Sequence, residues 1–522
     1  MRREESDGRV VPKGRRKTVP TARSVRGGKA ATASKAAGQL GLFSETADNP
    51  KGNDAEMDRG QPVGLNSRAV PKSEDKPGTT PPAATMEEVA KHENLMCAFA
   101  RVAANRGAPG PDRESVEMVE LYIETLVPKL SLSLLQGSFQ PGEIRRVWIP
   151  KPGGGQRGLG IPNVVDRIVQ QAVHQVLSPL YEPTFHRSSH GFRPGRSCHT
   201  AIAEARTYLE EGYEWVVDLD LEKFFDRVNH QRLISRLEQR VKDRRLIELI
   251  RRMLTAKVVM PDGVVVATEE GTPQGGPLSP LLSNIVLDEL DMELVRRGHR
   301  FVRYADDCNI YVRSERSGNR VMASVSAFIS KRLRLKVNAA KSAVARPEER
   351  HFLGFRLRRE PSDGSVEVRL SRRSLDRLAE SIRSRTPRNW GRSLRDAIGG
   401  LNGYLRGWIS FFGICSLSER VHLHRMDGHI RRRLRAIVLR HWKRKRTIAR
   451  NLIKLGLRPA TARRAVYQEQ RSWWALSQTK AIQHALPNRR FAAQGLRSLV
   501  AMWQDLQPAL VAAPGQLSLD LG

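Results

Sequence analysis

Two adjacent carboxylates, Asp306 and Asp307, stand between two runs that read as strands, Arg300–Tyr304 and Asn309–Val312. Phe301, Val302, Ile310 and Val312 bracket them with apolar side chains. Acids at the tip of a strand–turn–strand can hold hard divalent ions. Mg²⁺ takes oxygen ligands, typically one or two carboxylates plus substrate phosphates. Two such ions roughly 4 Å apart can stabilise the attacking and leaving oxygens of an in-line phosphoryl transfer. An Asp pair is also ordinary turn chemistry, so three other segments decide between the readings.

The first is Trp215–Leu221, a strand ending in Val217-Asp218-Leu219-Asp220-Leu221. Alternation puts Asp218 and Asp220 on one face and Val217, Leu219 and Leu221 on the other. Unpaired carboxylates are costly to bury, and a metal ion bridging this strand to Asp306 would resolve that. The pattern does not distinguish Asp218 from Asp220 as the ligand, and a solvated sheet face would show the same alternation. The second is Gly271–Pro280, a Gly/Pro-dense loop opening a helix from Leu281. Glycine lets backbone approach a ligand, and helix N-termini favour phosphate. The third is the glycine turn bracketed by Lys151 and Arg157. Two cations there suit a triphosphate, Arg through a bidentate contact and Lys as a point charge.

The elements that must position these groups interleave strands and helices without the regular alternation of a doubly wound sheet. Arg145–Pro150 reads as a strand, and Val258–Met260 with Val264–Val266 flank a hairpin turn at Pro261-Asp262-Gly263. Ile161–Tyr181 reads as a helix on the spacing of Val165, Ile168, Val169, Ala172, Val173 and Val176. Leu281–Leu294 is a second helix. Past about Leu370 the chain turns helical, with Leu394, Ile398, Leu401, Leu405 and Trp408 on one face. His429–Arg446 holds nine Lys or Arg and no acid.

The chain has 522 residues and a net charge of +34, from 89 Lys and Arg against 55 Asp and Glu. That excess calls for a polyanionic partner. No run of about 18 apolar residues would span a bilayer, and Met1-Arg2-Arg3-Glu4-Glu5 leads into no secretory core. Nucleic acid is left as the partner. The four cysteines form no CxxC pair, so neither a zinc module nor a disulfide framework is expected, and a reducing cytoplasm fits.

In order along the chain, the motifs resemble the reverse transcriptase/maturase proteins encoded by bacterial group II introns. Asn105–Asp112 is similar to their N-terminal finger motif. Arg145–Lys151 with Arg157–Pro162, and then Ser189–Ser197, are similar to their two fingers blocks. The Asp220 strand, Thr272-Pro273-Gln274-Gly275, Tyr304-Ala305-Asp306-Asp307, Asn338–Ser342 and Phe352–Phe355 resemble the palm motifs. Gly403–Trp408 and the basic helices after it resemble the maturase domain.

The resemblance implies an α+β right hand of fingers, palm and thumb, followed by an α-helical maturase domain. The expected boundaries are a disordered basic tail at 1–85, fingers and palm at 86–360, thumb/maturase helices at 361–465, a small helical extension at 466–507, and a flexible tail at 508–522. It implies that Asp220, Asp306 and Asp307 are catalytic and, with the Leu221 carbonyl, hold two Mg²⁺ ions. Phe225 would be the steric gate against a ribose 2′-hydroxyl. Gln274 would contact the templating pair or incoming nucleotide, Lys151 and Arg157 its triphosphate. Lys341 would be a proton donor to pyrophosphate, in a run where the family more often has Thr beside it.

Arg431, Arg432, Arg433, Lys443, Arg444, Lys445 and Arg446 would grip intron RNA, with target DNA and dNTPs as further partners. A charge-rich helical face is often merely solvated, but an acid-free stretch argues against that here. Many relatives end in a His-Asn-His endonuclease with paired cysteines. Neither feature is seen here, so second-strand cleavage is not expected and a primer would come from elsewhere. Gln39–Phe43 and Gln516–Leu521 resemble peptides that bind the bacterial β sliding clamp, and the expected location is the bacterial cytoplasm at the nucleoid. The rival readings are a splicing-only RNA-binding maturase and a reverse transcriptase of another bacterial retroelement or defence system.

Overall fold

The computed structural model describes residues 83–150, 154–272, 274–387, 391–467 and 472–512. Lys151, Gln39–Phe43 and Gln516–Leu521 lie outside these. The chain divides into two units, Met1–Ser73 and Glu74–Gly522, and every described residue belongs to the second.

Four strands lie side by side, two at the centre and two at the edges. β3 (Trp215–Leu219) pairs antiparallel with β7 (Asp307–Val312) and β8 (Ala343–Ala345), and β7 pairs with β6 (Arg300–Tyr304), in the order β6-β7-β3-β8. The two-residue side-chain period sorts the sheet's faces. Val217, Leu219, Phe301, Cys308, Ile310 and Val312 join one apolar core with the helices Val164–Tyr181 and Ser279–Arg296. Val216, Val302 and Tyr311 join a second core with the helix Cys198–Glu210. The face of Val216 is therefore also the face of Asp218.

A second sheet has the order β2-β1-β4-β5, in which β1 (Ile144–Pro150) pairs antiparallel with β2 (Gln156–Ile161). The short β4 (Val258–Val259) runs parallel to β1 and forms the expected hairpin with β5 (Val265–Val266). The helix expected from Ile161 starts at Val164, because β2 extends through Ile161 and Pro162 cannot donate to a helical ladder. The helix expected from Leu281 starts at Ser279, with Pro280 in its first turn, where a missing N–H costs nothing.

β9 (Phe355–Arg359) and β10 (Val366–Leu370) form a two-stranded ribbon leading into helices. Leu394–Phe412 is capped by Ser393 and Asp396 and buries the expected stripe at Ile398, Leu401, Leu405 and Trp408. Arg420–Trp442 follows, and the short helices between Trp473 and Ala512 close over it in the same apolar core. Asp427 takes the backbone N–H groups of Leu499 (2.9 Å) and Val500 (3.3 Å), capping the last of these helices from across the fold. Among the described residues, no helix is long and apolar enough to cross a membrane.

Candidate active site

The acid turn is a tight hairpin. Tyr304 pairs with Asp307 and Arg303 with Cys308, leaving Ala305-Asp306 as a two-residue loop. Such loops need positive φ, usually met by Gly or Asn; here Ala305 takes it, at 55°. Beside it β3 ends two residues short of expectation, at Leu219, whose partner is Cys308. Asp220 thus follows the end of β3 directly, beside Asp307, the first residue of its neighbour β7.

Asp220 is held by backbone. Its N–H donates to Ser342 Oγ (3.0 Å), and its carbonyl accepts from Asn338 N (2.8 Å). The Asn338–Ser342 turn is thereby tied to the acid, and Lys341 Nζ lies 3.4 Å from Asp220 Oδ2. Leu221 bridges to Val337. Asp218 is taken elsewhere: Arg350 Nη2 meets its Oδ2 at 2.6 Å and Nε at 2.8 Å.

The charges crowd. Burial pushes the Asp306 carboxyl above its ordinary value and Asp220 adds to this, while Arg157 and Lys341 oppose it. Asp307 is pushed up to about 7, first by burial and then by Asp306, Asp218 and Asp220. Among the described residues, no group of three or more His, Cys, Asp or Glu side chains is arranged to hold a metal ion by itself. The donor set still fits a hard divalent ion, because mutually repelling carboxylate oxygens gain most from a cation that also takes substrate oxygens.

The Gly271–Pro280 loop is tied at one end to the turn that follows β3 and further along to β2. Thr272 N donates to the Phe225 carbonyl (2.6 Å), so the loop is hung on the expected gate residue. Phe225 itself sits on a 3₁₀ turn, Phe224–Asp226, entered through left-handed Lys223 (φ 50°). The Gln274 carbonyl accepts from Gly160 N (2.8 Å), pinning the loop to β2. A Cβ at Gly275 would come 2.5 Å from the Gly160 carbonyl, so only glycine permits this approach. Arg157 stands in β2 opposite Ile149.

The basic helices divide differently from expectation. Lys443, Arg444, Lys445 and Arg446 are exposed at the corner between Arg420–Trp442 and Lys445–Lys454, and Arg431 is half-buried. Arg433, expected among the RNA contacts, is buried. It donates to the Thr386 hydroxyl (2.5 Å), the Thr386 carbonyl and the Arg383 carbonyl (3.3 Å). Arg432 stacks 3.8 Å from the Trp474 ring centre. Both guanidinium groups serve the fold, because the helices after Trp473 cover that side.

Sequence reasoning also missed a buried set behind the acids. Arg303 and Asp291 are both fully buried and paired at 2.6 Å. An arginine in the middle of a strand of buried residues was the available signal, since it demands a buried acid somewhere.

The sheet, the acid hairpin and the Gly/Pro-rich loop tied beside them define a polymerase of the reverse-transcriptase class. The family model described as "Reverse transcriptase (RNA-dependent DNA polymerase)" matches residues 149–357, and "Group II intron, maturase-specific domain" matches 375–455. Protein YkfC of Escherichia coli is 33% identical over 300 residues, covering 50% of this chain and 78% of YkfC. The group II intron-encoded protein LtrA of Lactococcus lactis is 39% identical over 183 residues, covering 35% of this chain and 30% of LtrA. A chain of the solved "Partial Cas6-RT-Cas1--Cas2 complex" is 24% identical, covering 50% of this chain and 46% of that one, with a TM-score of 0.32. The chain belongs to the family of group II intron-encoded reverse transcriptase/maturase proteins. It spans under a third of LtrA's length. That family generally works with divalent metal ions.

Proposed function

We infer that this protein is an RNA-directed DNA polymerase that binds its group II intron RNA, assists its splicing, and copies the intron into DNA. The observation that carries the reading is the gathering of Asp220, Asp306 and Asp307 at the end of β3 and the β6–β7 hairpin, with the Gly271–Pro280 loop tied to Phe225, just past β3, and to β2.

Asp220, Asp306 and Asp307, with the Leu221 carbonyl, would hold two Mg²⁺ ions. When bound, these ions would stabilise the attacking primer 3′-oxygen and the pyrophosphate leaving oxygen. Arg157 and Lys151 hold the triphosphate, the first as a planar fork and the second as a point charge. Phe225 fills the space a ribose 2′-hydroxyl would need, so dNTPs are favoured. Gln274, tethered to β2 by its carbonyl, presents its side chain to the templating pair. Lys341, whose ammonium lies 3.4 Å from Asp220 Oδ2, would give a proton to pyrophosphate. Lys443, Arg444, Lys445, Arg446 and Arg431 neutralise phosphates of structured RNA, which is read mainly by shape and backbone.

Primer extension by the full chain on an RNA template tests the polymerase. Incorporation should need Mg²⁺ and disappear in Asp306→Asn. An intact chain that binds intron RNA yet extends no primer would leave the splicing-only maturase instead. A ribozyme in the DNA flanking the gene separates an intron element from other bacterial retroelements. The tail peptides Gln39–Phe43 and Gln516–Leu521 are proposed to dock on the β sliding clamp, a Gln anchoring and Leu or Phe filling a pocket. Pull-down with purified clamp should weaken in Leu42→Ala/Phe43→Ala and Leu519→Ala/Leu521→Ala, and undiminished binding would discard the idea. Such docking would bring the protein to replicating DNA in the bacterial cytoplasm.

A further inference from the structure

Arg303 lies in β6, two residues before the acid turn's first central residue, with no exposed surface. Its guanidinium has five N–H donors, and five hydrogen bonds are present. Nε and Nη2 donate to the two oxygens of Asp291 (2.8 and 2.6 Å). Nη1 donates to Asn284 Oδ1 (3.0 Å) and to the Ala305 carbonyl (2.9 Å). Nη2 also donates to Ser189 Oγ (2.7 Å). One side chain thus joins the helix Ser279–Arg296, the 188–191 segment and the turn that carries Asp306.

The turn is gripped from its other side by the same segments. Arg303 N donates to the Ser188 carbonyl and His190 N to the Arg303 carbonyl, both at 2.8 Å. Asn284 Nδ2 donates to the Gly191 carbonyl (2.9 Å). A Cβ on Gly191 would stand 2.2 Å from Ala305 N. Ala305 is the residue in the left-handed region, and its carbonyl is the one Arg303 holds.

We propose that Arg303 is a positioning residue for catalysis: anchored on Asp291, it locks the strained Ala305 turn so that Asp306 and Asp307 are delivered to the site in one geometry. The proposal rests on the polymerase reading in taking those acids as catalytic. A pair serving only stability would be replaceable by apolar side chains of similar volume. The bond to the Ala305 carbonyl would not survive that replacement, and this difference separates the two roles.

The test uses the full chain with Arg303→Met/Asp291→Leu, Arg303→Lys and Ser189→Ala. Hydrogen exchange is followed across 303–308 and, as a control, across β3. Single-nucleotide incorporation is followed against dNTP and Mg²⁺ concentration. In the double variant, β3 keeps its protection while 303–308 loses it. Its kcat falls ~100-fold or more with dNTP KM within about threefold, because misplacement of about 1 Å is enough for that loss. Half-saturating Mg²⁺ rises. Arg303→Lys recovers little, as one ammonium cannot span Asp291 and Ala305 together. Parental exchange and parental kcat in the double variant overturn the proposal. Should the double variant not fold, Ser189→Ala decides: exchange at 303–308 rises and kcat falls about three- to tenfold, and no change in either overturns it. If the parent incorporates no nucleotide, the polymerase reading fails, and the exchange arm alone decides whether Arg303 holds the turn.

Discussion

Arg350 meets Asp218 at 2.6 Å, on the same strand face as Asp220 and two residues before it. The strand therefore carries one carboxylate neutralised by a distant guanidinium and one that reaches the site. Burial still pushes Asp218 above its ordinary carboxylate value, with Arg350 opposing, so the pair is a compromise between desolvation and attraction.

The two acids should separate on mutation. Asp220→Asn should abolish primer extension, by ~10³-fold or more, with the fold intact. Asp218→Asn should lower stability by about 1–2 kcal/mol and leave extension within about tenfold of parent. Extension and thermal melting of the two variants side by side check this. Equal loss of extension in both would refute the assignment.

Gly191→Ala should cripple the enzyme from outside the acid hairpin. The added methyl would sit 2.2 Å from Ala305 N, and backbone cannot move aside as a flexible side chain can. We expect extension to fall ~100-fold and the melting temperature to drop. A variant of near-parental rate would mean that the turn yields freely.

Asp288 offers a pH test away from the acids proposed as catalytic. Burial, with Asp291, raises its carboxyl to about 6, and Oδ1 has no hydrogen-bond partner. A raised folded-state value means that the stabilising protonated form is complete below about 3.8 and lost as pH rises through about 6. Asp288→Asn should then be the more stable protein at pH 8, by on the order of 1–2 kcal/mol, with the advantage gone near pH 4. Melting curves of both proteins from pH 4 to 8 should converge at the acid end.

The basic corner should be felt in salt. Replacing Lys443, Arg444, Lys445 and Arg446 with Gln should weaken intron RNA binding and reduce the slope of log K against log salt by about 3, at roughly 0.7–0.9 per phosphate contact. Arg433→Gln should leave that slope unchanged and instead lower the melting temperature, because its guanidinium is committed to Thr386 and Arg383. A filter-binding series at several salt concentrations distinguishes the two.

Much of this was legible from residues close in the chain. A two-residue turn between alternating strands is a local matter, so Asp306 and Asp307 at a hairpin tip could be read directly. The stripe Ile398, Leu401, Leu405 and Trp408 is buried as helical spacing required. The +34 charge and the acid-free run at 429–446 told of a polyanion. Spacing along a strand says which side chains share a face, but not what meets that face. Asp218 was settled by Arg350, 132 residues away. Arg303 found its acid in a helix and its hydroxyl partner 114 residues back. Arg433 left the set expected to face RNA because Thr386 and Arg383, about fifty residues earlier, claimed its donors. Local pattern determined the elements and the kinds of chemistry on offer. Which charge is neutralised and which stays free to work is a property of contacts between distant segments, and only the tertiary fold decides it.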